Sequence, residues 1–264
     1  MCLIFVSFHN HSRYKLIVAA NRDEFYNRRT APAQWWKDHP RILGGRDLEA
    51  DGTWMAITAS GKVGLVTNYR DPKNINPLAP SRGHLVSDYL EKEYTANQYV
   101  REVEKKARLY NGFNLLAGTV DELWYISNYK DGLQKLKPGF YGLSNHLLDT
   151  PWPKLMRGKE RLKPILKKND IQPTALMDFL YDGTRAADGQ LPDTGIGLER
   201  ERALSSMFIK TPGYGTRCST IVLVDKHNHV LFSERVYDVE TFQYASNNFE
   251  FDIISEPGTL NPEL

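Results

Sequence analysis

The chain has 264 residues, 41% hydrophobic and 25% charged, the proportions of a soluble globular protein long enough to close a large core. Its 34 basic and 32 acidic residues leave a formal charge of +2, too balanced for a nucleic-acid or anionic-membrane surface. Cys2 and Cys218 are too few for a disulfide framework or a zinc site, and no apolar run approaches the roughly eighteen residues of a membrane span.

Cys2–Phe8 is an apolar run of strand length, Asn10-His11-Ser12 is a turn, and residues 14–20 return as a second strand. The same Asn10–Arg13 segment interrupts any secretory pattern, and Asp23 and Glu24 come too early for a mitochondrial presequence, so a cytoplasmic protein is expected. Residues 28–51, rich in Arg, Pro, Gly and Trp, read as a long loop with a short strand; Pro32, Trp35 and Trp36 could rim it, although packing is the usual fate of such residues. Residues 53–59 and 62–68 form a hairpin across Ser60-Gly61. Helices follow: one capped by Ser81 with Leu85, Val86, Tyr89 and Leu90 on one face, and one capped by Thr95 and ended by Asn111-Gly112. Strands resume at 113–117 and 123–127. Residues 151–168 read as a helix broken or kinked by Pro164, and 173–181 as another. Residues 182–197, with four glycines and a proline, read as a mobile surface excursion, and a hairpin of 219–225 and 229–234 is the last ordered unit. With no repeat or compositional break, the pattern predicts one α+β domain over residues 1–264, with antiparallel sheets covered by helices.

Cys2 directly follows the initiator methionine. Removal of Met1 would place a thiol and a free α-amine on one residue, and an amine with a reference pKa near 7.7–8.0 can take the thiol's proton. Asn21-Arg22-Asp23-Glu24 sits just past the second strand, which a hairpin brings beside Cys2. Asp23 can then bind the amine, and Arg22 can hold a substrate carboxylate or the thiolate. Asn68 and Asn145 each follow a strand and offer a neutral amide to a developing oxyanion; turn formation is the plainer role for both. Arg217, in Pro212-Gly213-Tyr214-Gly215-Thr216-Arg217, is a second candidate for anion or substrate binding, while Cys218 reads as structural. The seven histidines show no ligand spacing, so neither a metal nor another cofactor is expected.

Several stretches taken together carry a resemblance. Met1-Cys2, Ala20-Asn21-Arg22-Asp23-Glu24-Phe25, Gly52-Thr53-Trp54, Thr67-Asn68-Tyr69, Tyr110–Leu115, Tyr141-Gly142-Leu143-Ser144-Asn145, Thr150-Pro151-Trp152-Pro153-Lys154-Leu155 and Pro212–Arg217 occur in that order. The chain resembles the NRDE family, whose animal members are called transport and Golgi organisation protein 2, and through it the N-terminal nucleophile (Ntn) hydrolases of the penicillin V acylase and bile salt hydrolase branch. That resemblance implies a four-layer αββα sandwich, with Cys2 as nucleophile, Asp23 as the aspartate on its amine, Asn68 as the oxyanion-hole asparagine and Asn145 as the second active-site asparagine. The acylase pattern has an arginine where this chain has Ala20, which leaves Arg22 and Arg217 both open for that role. The expected function is hydrolysis of a non-peptide C–N bond in a small molecule. The alternative, suggested by the family's links to haem trafficking and lipid metabolism, is a carrier of haem or an acyl thioester that uses the same pocket. Fold alone does not choose between them.

Overall fold

The structure, a computed structural model, describes residues 2–254; Met1 and residues 255–264 lie outside the described residues. Strand β1 (Cys2–Phe8) and strand β2 (Tyr14–Phe25) form the first hairpin. Next come β3 (Thr30–Trp35), β4 (Ile42–Asp47), β5 (Met55–Thr58) and β6 (Lys62–Asn68). Two helices, α1 (His84–Glu91) and α2 (Ala96–Lys106), precede β7 (Phe113–Thr119), β8 (Leu123–Ser127), β9 (Lys130–Lys135) and β10 (Gly139–Leu143). Helices α3 (Pro153–Leu166), α4 (Pro173–Leu180) and α5 (Leu198–Ala203) lead into β11 (Lys210–Thr211), β12 (Tyr214–Asp225), β13 (His229–Tyr237) and β14 (Tyr244–Asp252).

The strands make two antiparallel sheets. One runs β10-β1-β2-β12-β13-β14, with β11 on β12; the other runs β3 to β9 in chain order. The two sheets face each other across a core containing Ile4, Val6, Leu16, Val18, Leu65, Leu116, Val222 and Phe232. Helices α3 and α4 cover the outer face of the first sheet through Leu155, Leu162, Leu176 and Phe179, which meet Leu3, Phe5 and Ile17. Helices α1 and α2 cover the second through Val86, Tyr89 and Val100, which meet Ala56 and Leu115. This is a four-layer αββα sandwich. With both faces covered, β1 is buried at every residue, which is why it reads as a continuous apolar run rather than an alternating one. Each fully buried Leu or Phe of these layers contributes roughly 1.5–3 kcal/mol.

Helix α3 lies close on β1 because Gly158 has no side chain; a Cβ there would come 2.1 Å from the Phe5 ring. Pro153 opens this helix at a position where a missing N–H is harmless, and Pro164 falls within it near the last turn, so the helix is not broken there as expected. Thr95 caps α2 in a full capping box, but α2 ends at Lys106 and a 3-10 turn, Ala107–Leu109, follows. Helix α1 is preceded by Gly83 without a side-chain cap; Ser81 instead accepts from the Gly83 N–H at 3.2 Å.

Further expectations are revised. Strand β2 continues through Asn21-Arg22-Asp23-Glu24 to Phe25, because β1 and β12 flank it on both sides. Residues 28–51 hold two strands, of which β3 is an edge strand with an irregularity around Pro32 that hides the alternation. Trp36 is buried, donating to the Gly44 carbonyl at 3.0 Å, and Trp35 packs on Phe251, so no tryptophan rim forms. Strand β14 extends the first sheet beyond the expected last hairpin. The 182–197 excursion is tied down: Thr194 donates its N–H to Glu201 at 2.9 Å, and Ala186 donates to the Ser205 hydroxyl at 3.0 Å. Among the described residues, no helix is long and apolar enough to cross a membrane.

Candidate functional site

Cys2 opens β1 directly across from Arg22 on β2, and Arg22 lies directly across from Cys218 on β12. Opposed residues on neighbouring strands share a face. The three side chains therefore form a row on the inner face, toward the second sheet. Arg22 is only 5% exposed. Its guanidinium lies over the Trp54 ring at 4.3 Å, with Nη2 3.6 Å from Glu24 and 3.9 Å from Asp47. Its Nη1 is buried and makes no hydrogen bond among the described residues. Burial pushes the Cys2 thiol above its ordinary range, Asp23 adds to the rise, and Arg22 opposes it.

One step along β2, the pleat turns Asp23 to the outer face, where it is 0% exposed. Its Oδ1 accepts from the Thr216 hydroxyl at 2.7 Å, and Thr216 is its register partner on β12. Burial raises the Asp23 carboxyl above the usual carboxylate value, while Lys154 and the Thr216 hydrogen bond work against that rise. The register of β12 slips between Thr216 and Cys218. Arg217 is the extra residue of this bulge. Its Nη1 donates to the carbonyls of Phe25, Tyr26 and Arg28 at 3.0–3.2 Å, so this arginine clamps the turn between β2 and β3.

Asn68 ends β6 in the second sheet, and Asn145 follows β10 in the first. The Asn145 side-chain amide donates to the Asn68 main-chain carbonyl at 3.0 Å, and the Arg70 N–H donates to the Asn145 carbonyl at 2.7 Å. Thr67 donates to the Ser144 carbonyl at 2.7 Å, and the buried Asn114 amide reaches the His146 carbonyl at 3.0 Å. Together these bonds stitch the two sheets at the end where Cys2 lies; Ser144 donates to the Cys2 carbonyl at 3.4 Å. Asn68 also lines a cleft of about 190 Å³ with Tyr69, Arg70, Ile75, Arg82 and Asn111. Burial lowers the pKa of Arg82 in that cleft, and the charges of Glu24 and Cys2 oppose the shift.

Of the six residues singled out in the sequence, the structure places Cys2, Arg22 and Asp23 at one end of adjacent strands. Asn145 sits behind Asn68, and Arg217 is held by the turn carbonyls. Several neighbours carry no local sequence signal. Arg70 and Glu201 form a buried ion pair at 2.7 Å, with Arg70 stacked 4.8 Å over Trp152. Lys154, in the first turn of α3, is 3% exposed, and its Nζ makes no hydrogen bond among the described residues. The Tyr214 hydroxyl is likewise buried without a hydrogen-bond partner there. Lys154, Tyr214 and Thr216 do fall inside the Thr150–Leu155 and Pro212–Arg217 stretches that carried the resemblance, which was the one available signal. Among the described residues, no group of three or more His, Cys, Asp or Glu is placed to hold a metal ion. What the arrangement brings together is a buried thiol, a sealed carboxyl and buried charges of both signs.

A solved structure described as a Caenorhabditis elegans N-acylethanolamine-hydrolyzing acid amidase ortholog superposes with a TM-score of 0.51 at 11% identity, over 84% of this chain and 92% of that one, a likeness of fold. Transport and Golgi organization 2 homologs from Mus musculus and Homo sapiens are 38% and 37% identical, each over 97% of this chain and the whole of theirs. The Drosophila melanogaster protein is 31% identical over 89% of this chain and 91% of its own length. The family model for Transport and Golgi organisation 2 matches residues 1–239, and the chain belongs to that family.

Proposed function

We propose that the chain is an N-terminal-cysteine amidohydrolase that cleaves the linear amide bond of a small molecule in the cytoplasm. The observation that carries this reading is the start of β1: Cys2 faces Arg22 across the hairpin, and Asp23 is sealed one step further along β2. Removal of Met1 frees the Cys2 α-amine, which takes the thiol's proton. The thiolate attacks the amide carbonyl, and the Asn68 side-chain amide donates to the oxyanion that forms. As the C–N bond breaks, the α-amine returns the proton to the leaving amine. Water then cleaves the thioester, releasing a carboxylic acid and regenerating the thiol. Asp23 holds the amine in place, and the buried Arg22 draws an anionic group of the substrate toward the thiol. Asn145 acts through Asn68, whose carbonyl it fixes.

The test begins with the intact mass of untagged protein expressed from its own start codon, followed by a panel of N-acyl amides. Loss of one methionine, amide turnover, and abolition of turnover in Cys2→Ala support the reading. Retention of Met1 on every molecule, or full turnover by Cys2→Ala, would sink it. Binding of haem or an acyl thioester without turnover would instead assign the cleft to a carrier.

A further inference from the structure

The loop after β6 and the 3-10 turn after α2 meet at the rim of the Asn68 cleft, and both hold aliphatic side chains in water. Leu78 is 91% exposed, and Ile75 in the same loop and Leu109 in the 3-10 turn are largely exposed as well. The two segments are bonded together: the Asn76 N–H donates to the Asn111 side-chain carbonyl, and the Asn111 amide donates to the Asn76 carbonyl, both at 2.8 Å. Tyr129, stacked on Tyr69 at 3.9 Å, adds a partly exposed ring beside Gly112 and donates its hydroxyl to Asp71. Single exposed aliphatics are ordinary on a protein surface, but these stand on a braced loop. Asp71 accepts from the Lys73 N–H at 3.2 Å and from the Asn74 amide at 2.7 Å, and Asn76 accepts from the Leu78 N–H at 2.9 Å. Pro72, Pro77 and Pro80 fix the backbone between those bonds. The near-neutral total charge of the chain hides a local surplus on this edge. Lys73 stands two residues before Ile75, and Lys106 and Arg108 lead into Leu109; all three are exposed, and none forms an ion pair among the described residues. Of the acids in residues 71–82 and 102–112, Asp71 and Glu102 are engaged by Tyr129 and Lys105, which leaves Glu104 alone against those three cations.

We propose that this edge docks on an anionic lipid bilayer, with Leu78 and Leu109 entering the boundary between headgroups and acyl chains and Lys73, Lys106 and Arg108 resting on lipid phosphates. Apolar tips flanked by cations match the two layers of such an interface: the tips leave water for the acyl boundary while the charges stay at headgroup level. A protein partner fits less well. A stable protein interface takes about 800 Å² from each side, and three protruding side chains offer points of insertion rather than a continuous face. The mouth of the Asn68 cleft, lined by Ile75 and Asn111, then opens against the lipid. This proposal does not rest on the Cys2 reading above.

Vesicle co-sedimentation of the full chain tests this, with vesicles of phosphatidylcholine alone and of phosphatidylcholine mixed with phosphatidylserine. We expect binding to the mixed vesicles to be tighter by about tenfold or more and to weaken as salt is added. Leu78→Ser with Leu109→Ser should lower binding to the mixed vesicles by about tenfold or more. Should that pair not fold, Leu78→Ser alone should still lower it by about threefold or more. Lys73→Gln combined with Lys106→Gln and Arg108→Gln should erase the preference for phosphatidylserine. Failure of the wild type to sediment with either vesicle, or equal binding by the wild type and the leucine variants, overturns the proposal. So does a concentration-dependent dimer that the leucine variants abolish while vesicles capture nothing, an outcome that assigns the edge to a second copy of the chain. The readout involves no turnover, so its failure leaves the Cys2 reading standing.

Discussion

The side-chain amide of Asn145 donates to the main-chain carbonyl of Asn68 at 3.0 Å, linking the loop after β10 to the end of β6. The two asparagines thus stand in series, Asn68 at the cleft and Asn145 behind it. Asn145→Ala strands a carbonyl in the joint between the sheets and should cost about 1–3 kcal/mol of stability. Asn68→Ala should cost under about 1 kcal/mol yet lower amide turnover by about 10²–10³-fold. Thermal denaturation and kcat/KM, measured side by side on the two variants, check the split. Equal effects of both variants on stability would contradict it.

Cys2 and Cys218 flank Arg22 from opposite sides, which places them two strand spacings apart, roughly 9–10 Å. A disulfide needs Cα atoms within about 7 Å. Oxidation with diamide should therefore yield no intramolecular Cys2–Cys218 bond by non-reducing mass spectrometry, and Cys218→Ala should keep full Cys2 reactivity. Appearance of that crosslink would mean that the end of β2 opens in solution.

The Arg70–Glu201 pair joins the loop after β6 to α5, with side chains 6% and 4% exposed. Removing one partner leaves an uncompensated buried charge, so Arg70→Met alone should cost about 3–5 kcal/mol. Arg70→Met with Glu201→Met should cost clearly less than the two single changes added together. A double-mutant cycle in urea reads this directly, and strict additivity would show that the two charges do not interact.

Burial dominates the shift that brings Lys154 from 10.5 to about 8. Its folded-state value is depressed, so between about pH 8 and 10.5 the unfolded chain holds the proton more tightly. Stability contributed at this residue therefore rises with pH across that window, by about 3 kcal/mol in all. The unfolding free energy of the wild type minus that of Lys154→Met should climb through those pH values and be flat below them. A difference that stays level from pH 7 to 10.5 would place an ordinary, solvated lysine at this position.

Much of this arrangement was legible in the sequence, and what was missed has identifiable causes. The β1–β2 hairpin showed itself as two apolar runs, and Thr95 with Gln98 marked the start of α2. The polar run from Asn21 to Glu24 looked like a turn, because a single sequence does not reveal that two flanking strands will seal Asn21, Arg22 and Asp23. Strand β14, on a sheet edge, buries only Phe249 and Phe251 against the core, and its polar, mostly exposed start over residues 244–248 carries too little apolar signal to read. Asn68 and Asn145 could be singled out as residues that follow strands, but the bond between them could not, since a side chain bonded to a main-chain carbonyl leaves no trace in residue identity. Arg70 and Glu201 are 131 positions apart, with no periodicity to connect them. Lys154, between two prolines' worth of helix start and an apolar stripe, has the composition of a surface residue and the burial of a core one.

Gly158 has a consequence that reaches beyond packing. Its bare backbone lets α3 sink until the Phe5 ring is the limit, with a Cβ's clearance of only 2.1 Å. Lys154 lies four residues earlier, one helical turn away on the same stripe. A methyl at position 158 would lift the helix and draw that amine outward with it, toward water. The depth at which a helix seats thus acts as a dial on local charge, and a residue with no side chain sets the chemistry of an amine that it never touches.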